Sequence, residues 1–206
     1  MNEMAPALPR LRPAVPDDSE AIAALHVASW RETYRGLLPD AMVDGMKTAD
    51  RTIQWQRALE RRAEVQVLVA QDPGGALVGF ASGGPARGAD LGATQEIYAI
   101  YVLRQAQRQG LGRALVQGLA AGLAIRTLMQ NAATPMAIDL GLWVLRENAP
   151  ARAFYERIGG RAAAERVERR EGHDLAEVAY RWTDLAALIG PSFSSGALDG
   201  PPPSFA

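Results

Sequence analysis

Three consecutive segments between residues 95 and 145 constrain the fold most. QEIYAIYVL (95–103) is apolar along almost its whole length, GLGRALVQGLAAGLAIRTLMQ (110–130) carries helical spacing, and MAIDLGLWVL (136–145) is a second apolar run. A strand without polar alternation belongs inside a sheet with both faces covered. Two strands joined by a crossover helix run parallel, and the crossover is expected to be right-handed. Glycines 118 and 122 lie four apart, which suits a helix packed closely on a sheet. The alternative, a small-residue pairing of membrane helices, fails because the apolar stretch is short and ends at Arg126.

The remaining segments fit around this unit. LRPAV (11–15) reads as a short strand, and a helix follows from Pro16-Asp17 to about Tyr34, with Asp17 and Glu20 at capping-box spacing. Residues 36–46 are a Gly/Pro-broken connection, and Thr48 and Asp50 start a second helix. VQVLVAQ (65–71) and ALVGFASGGP (76–85) form a hairpin through Asp72-Pro73-Gly74-Gly75, with Gly79 a candidate bulge. Pro150 starts a helix that Gly159-Gly160 ends. AAAERV and LAEVAYRW (175–182) make a terminal hairpin. The expected fold class is α/β (α+β), a mixed central sheet flanked by helices. The domain spans 10–186, after a loose leader (1–9) and before a disordered Pro/Gly/Ser-rich tail (187–206).

The turn between the two central segments carries the chemistry. Gly110 and Gly112 lack Cβ atoms, so main-chain N–H groups near them can approach a ligand closely. The first N–H groups of a helix have no internal partner and favour negative charge, which suits a pyrophosphate. A dinucleotide fingerprint would need a third glycine at Leu115, and a P-loop would need a lysine; neither is present.

Gln107-Arg108-Gln109-Gly110-Leu111-Gly112, preceded by Ile100-Tyr101-Val102, resembles the Q/R-x-x-G-x-G/A motif of the GNAT superfamily, the Gcn5-related N-acetyltransferases. The resemblance implies the GNAT fold, with splayed parallel strands at an acetyl-CoA site. It implies main-chain contacts to the pantetheine arm at Ile100, Tyr101 and Val102. The pyrophosphate would lie against Gln107, Arg108, Gln109, Gly110, Leu111, Gly112 and Arg113. Arg104 stands where the family often has proline.

A second motif lies in LWVLRENAPARAFYERIGG (142–160). Val144, Asn148, Ala151, Phe154, Tyr155 and Gly159 resemble the family's V-x-x-x-N-x-x-A-x-x-F-Y-x-x-x-G element. Tyr155 would then be the general acid toward the departing CoA sulfur, as a phenol stays protonated at neutral pH. Asn148 would bind pantetheine, cap the helix start, or do both. Gly160 replaces an aromatic, which loosens the expected packing. Glu96, at the start of the central strand, is the candidate base, with Glu32, Asp139 and bulk water as other routes.

SWRETYRGLLP (29–39) resembles the first-helix region of many members. Trp30 and Tyr34 share a helix face and, with Glu32, Tyr98 and Trp143, are candidates for an acceptor pocket. Glu32 and Glu96 would suit a cationic amine. His26 is expected to pack in the core, and His173 to sit in a polar turn.

Composition closes off other chemistry. The chain has no cysteine and two histidines, so thiolate metal sites and a cysteine nucleophile are excluded and a metal is not expected. Without a nucleophilic thiol, acetyl transfer is expected by direct attack in a ternary complex rather than through an acyl-enzyme. A net charge of −1 argues against nucleic acid as a main partner. No run reaches the length of a membrane span, and no secretory signal is evident, so a cytoplasmic location is expected. The expected partners are acetyl-CoA and an amine acceptor, in a monomer or homodimer. Competing readings are a non-catalytic acyl-CoA sensor on the same fold and a nucleotide-binding regulator.

Overall fold

The structure, a computed structural model, describes residues 9–61, 63–130 and 138–190. The strands are β1 (Arg10–Pro13), β2 (Gln66–Gln71), β3 (Leu77–Pro85), β4 (Gln95–Val102), β5 (Leu140–Leu145), β6 (Arg161–Arg170) and β7 (His173–Trp182). They form one sheet in the order β1-β2-β3-β4-β5-β7-β6. Among these seven strands, only β4 and β5 pair in parallel. The two apolar runs that dominate the sequence are therefore neighbours at the middle of the sheet.

Helices cover both faces. α4 (Leu111–Gln130) lies on one, packed with α5 (Ala149–Arg157) and α6 (Leu185–Ile189). Leu115, Leu119 and Leu123 form its inner stripe at i, i+4 and i+8, all with no exposed surface. Each such burial is worth roughly 1.5–3 kcal/mol. α1 (Ser19–Tyr34) and α3 (Thr48–Glu60) cover the other face, meeting Val69 and Phe80 through Ile22, Leu25, Trp55 and Leu59.

Several local expectations need correction. Residues 36–46 contain a helix, α2 (Asp40–Gly45), started by Pro39 and Asp40 and anchored by buried Met42 and Val43. The entry to α1 is fixed by Asp18 rather than by Asp17 and Glu20. Asp18 accepts from the Val15 N–H at 2.8 Å and from Arg12 at 2.7 and 2.8 Å. The Arg12 guanidinium holds the Asp18 carboxyl below the usual carboxylate range. Past residue 186, α6 docks on α4, with Leu185 and Leu188 buried and the Gln117 side chain donating to the Leu188 carbonyl. The leader through residue 8, strand residues 136–137 and tail residues 191–206 lie outside the described residues.

Gly79 pairs regularly with Ala70 and Val102; the β2–β3 irregularity lies beside it, at Val78. The bulge that matters is on β4. Ser82 pairs with Ala99 and Gly83 with Ile97, leaving Tyr98 unopposed. Ile97, Ile100 and Val102 consequently pack toward α4, while Ala99 and Tyr101 pack toward α1. The extra residue resets the alternation of the strand, so its first half presents different residues to the α1 face than its second half does.

Candidate active site

The parallel pair comes apart almost as soon as it forms. β4 and β5 pair at Gln95–Leu140 and Glu96–Gly141 and nowhere beyond. β4 continues against β3 through Val102, and β5 continues against β7 through Leu145. The side of β4 that faces the gap therefore has main-chain groups without a ladder partner, and a buried strand needs partners for them. Ile100, Tyr101 and Val102 all lie in this unpaired stretch.

The gap leads to the turn before α4. A single turn at Arg104–Ala106 follows β4, and the Gln107 side chain ties it back by donating to the Val102 carbonyl at 2.9 Å. Arg108 has φ 62° and Gly110 φ 80°. The left-handed region is costly for arginine, by about 1–2 kcal/mol. Strain of this kind is tolerated where a site requires the geometry. A Cβ on Gly110 would meet nothing within 4 Å, so the space over this turn is open. A Cβ on Gly112 would stand 3.3 Å from the Phe154 ring, so that position is closed by α5 packing. Gln107, Arg108, Gln109 and Arg113 are exposed; the Gln109 side chain donates to the Gln105 carbonyl. Leu111 buries its side chain, which leaves only its main chain toward the turn.

α5 supplies the other bank. Asn148 caps it, its Oδ1 accepting from the Ala151 N–H at 3.2 Å. Tyr155 is buried against Phe154, Tyr180 and Trp182. Burial pushes its phenol well above the ordinary value, with a smaller contribution from Tyr34. Tyr34, Tyr101 and Tyr155 lie close enough to influence one another electrostatically across the gap. The expected looseness at Gly160 is absent: the Trp182 indole fills the space, 2.7 Å from where a Cβ would stand.

A cavity of about 450 Å³ opens on the α1 side of the gap. Trp30, Tyr34, Tyr98 and Trp143 line it. Trp30 and Tyr34 stack with ring centroids 4.3 Å apart. Glu32 does not line it. Its carboxylate turns away to accept from the Arg104 N–H at 2.9 Å, where it braces the turn. Glu96 does line it, yet it is no isolated carboxylate. Arg87 closes on it with its main-chain N–H and its guanidinium, at 2.5–3.2 Å. Asp139 is held by Arg181 at 2.7 Å. The expectation of a cavity made acidic by Glu32 and Glu96 is thus corrected.

The β6–β7 hairpin brings residues that the motifs do not mark. Arg166 pairs across the hairpin with Glu177 at 2.8 Å and lies 4.1 Å over the Trp143 ring. Burial pushes the Glu177 carboxyl up, against the opposing pull of Arg166. His26 packs as expected, between Trp55, Phe80 and Tyr101, and also reaches the cavity. His173 is exposed at the start of β7. Among the described residues, no group of three His, Asp or Glu is placed to hold a metal ion.

A family model for the acetyltransferase (GNAT) domain matches residues 63–159. The N-acetyltransferase YuaI of Bacillus subtilis, itself uncharacterized, is 37% identical over 178 residues, covering 86% of this chain and 95% of YuaI. This chain belongs to the GNAT superfamily of acetyltransferases. Solved structures share its fold. A GCN5-related N-acetyltransferase from Rhodopseudomonas palustris superposes with TM-score 0.64 at 23% identity, covering 87% of this chain and 98% of its own. YncA from Salmonella typhimurium, solved with acetyl-CoA, gives 0.62 at 20% identity, covering 85% and 94%. In this acetyltransferase the matched segment runs from β2 to α5 and so contains the gap and the turn. The α1, α3 and hairpin walls of the cavity lie outside it.

Proposed function

We propose that this chain transfers an acetyl group from acetyl-CoA to a primary amine by direct attack in a ternary complex. The observation that carries the reading is the gap between β4 and β5, opening directly onto the left-handed turn at Arg108 and Gly110. The gap offers main-chain partners for an extended amide-bearing arm. The turn and the α4 N-terminus offer N–H groups for a pyrophosphate, with Arg108 and Arg113 exposed beside them. These residues fit acetyl-CoA, the group that YncA holds.

Acetyl-CoA supplies the activated acyl group and a sulfur leaving group. The chain's own residues manage two protons. Tyr155 is a protonated phenol throughout the neutral range, because burial opposes the phenolate. It is the proton donor toward the departing sulfur. The amine's proton leaves by way of the cavity. Glu96 and Glu177 are the buried carboxylates there, and burial raises the proton affinity of Glu177 above that of an ordinary carboxylate.

The test is a coupled assay of acetyl-CoA with a panel of amines, read by thiol release. The chain contains no cysteine, so all thiol detected comes from CoA. Acetyl-dependent turnover with at least one amine is expected. CoA binding without acetylation of any amine would reject the reading in favour of a sensor.

A further inference from the structure

The α3 wall of the cavity carries Lys47, Asp50 and Arg51, a net positive charge. Arg51 is half-buried and lines the cavity. Its guanidinium bonds the neutral side chain of Gln54 at 2.6 Å and makes no ion pair among the described residues. Lys47, the only lysine in the chain, lies one turn earlier on the same face and also lines the cavity. Asp50 stands between them in sequence but forms no ion pair with either. Half-burying a cation without a counterion is costly, and such a cation is normally paired.

His26 completes the wall. The Trp55 indole N–H donates to His26 Nδ1 at 3.3 Å, so the neutral ring carries its proton on Nε2 and presents a donor there. Arg51 is close enough to act electrostatically on this ring. The opposite wall differs, because Glu96 is closed by Arg87 and Glu177 by Arg166. The two buried carboxylates of the cavity are thus closed by arginines, and its unpaired ones, Asp50 and Glu171, are exposed, whereas Arg51 is a half-buried donor without a counterion.

We propose that the acceptor is an amine that also carries a carboxylate, held by Arg51 with Lys47 and the Nε2–H of His26. This rests on the acetyltransferase reading of the same site. Arg51 offers the planar donor fork that matches a carboxylate. The cavity, about 450 Å³, has room for a small molecule carrying both groups. The amine end then points toward Glu177 and the β4–β5 gap.

The experiment compares matched pairs, such as tyrosine with tyramine and phenylalanine with phenethylamine. At least tenfold higher kcat/KM is expected for one or more carboxylate-bearing members. Arg51→Gln is expected to collapse that preference through KM, with CoA affinity unchanged, and Arg51→Lys to restore part of it. A readout independent of turnover is the His26 ring resonance with CoA present. Adding the amino acid shifts it while leaving His173 in place, and adding the matched amine does not. Equal or better turnover of the decarboxylated members, or a preference that survives Arg51→Gln, overturns the carboxylate site while the transferase reading stands. Absence of acetylation across both series and across the wider amine panel, with CoA bound, overturns the transferase reading. The carboxylate site then falls as well if the His26 signal fails to respond.

Discussion

The indole N–H of Trp55 donates to Nδ1 of His26 at 3.3 Å, joining α3 to α1 beneath the cavity. Burial, helped by the charge on Arg51, pushes the His26 pKa down to about 3. An unfolded histidine titrates near 6.5. The unfolded chain thus takes up this proton first as the pH falls. The contribution is fully present above about 6.5 and is lost progressively toward about 3. We expect unfolding free energy from urea titrations to include a one-proton slope of about 1.4 kcal/mol per pH unit in that window. The His26 ring should keep its neutral chemical shift down to about pH 4. Titration of that ring near pH 6 would disprove the buried neutral state.

Gly110 tests the turn. Its φ of 80° is strained for any side chain, although nothing stands within 4 Å of its Cβ position. Gly110→Val should therefore weaken CoA binding tenfold or more by calorimetry. The far-ultraviolet circular dichroism should stay the same. Unchanged CoA affinity would remove the turn from the binding site.

Tyr155→Phe keeps the ring among Phe154, Tyr180 and Trp182 and removes only the hydroxyl. Loss of a general acid typically costs about 10²–10⁴ in rate. A fall of at least tenfold in kcat is expected, with CoA affinity within twofold. An unaltered kcat would assign Tyr155 to packing alone.

Glu96 and Glu177 separate by their environments. Glu177 is pushed up by burial, and a base of higher proton affinity takes an amine proton more readily. Glu177→Gln should lower kcat/KM tenfold or more. A larger loss for Glu96→Gln would return the role to Glu96, which Arg87 closes as Arg166 closes Glu177.

The sheet core and the turn were legible because their signals are local. Apolar runs at 95–103 and 136–145 mark central strands, and glycines before a helical pattern mark a tight strand-to-helix connection. Helix α2 is not legible in the sequence because its six residues are too few to show a period. Glu32 was misplaced because helical spacing gives a side chain's face but not the turn that packs beside it. Arg87, Arg166 and Glu177 carry no motif. They meet the cavity through β-register and a hairpin fold-back, which join residues distant in the chain.

The sequence by itself determined the central parallel unit, the two motifs that resemble the GNAT family's and the absence of a protein thiol. Those follow from periodicity, from glycines where a side chain would be strained, and from composition. The tertiary structure alone decided how the charges of the cavity are paired. A carboxylate's effect depends on whether an arginine closes on it, and that pairing is set by the Tyr98 bulge and the β6–β7 register rather than by neighbours in sequence.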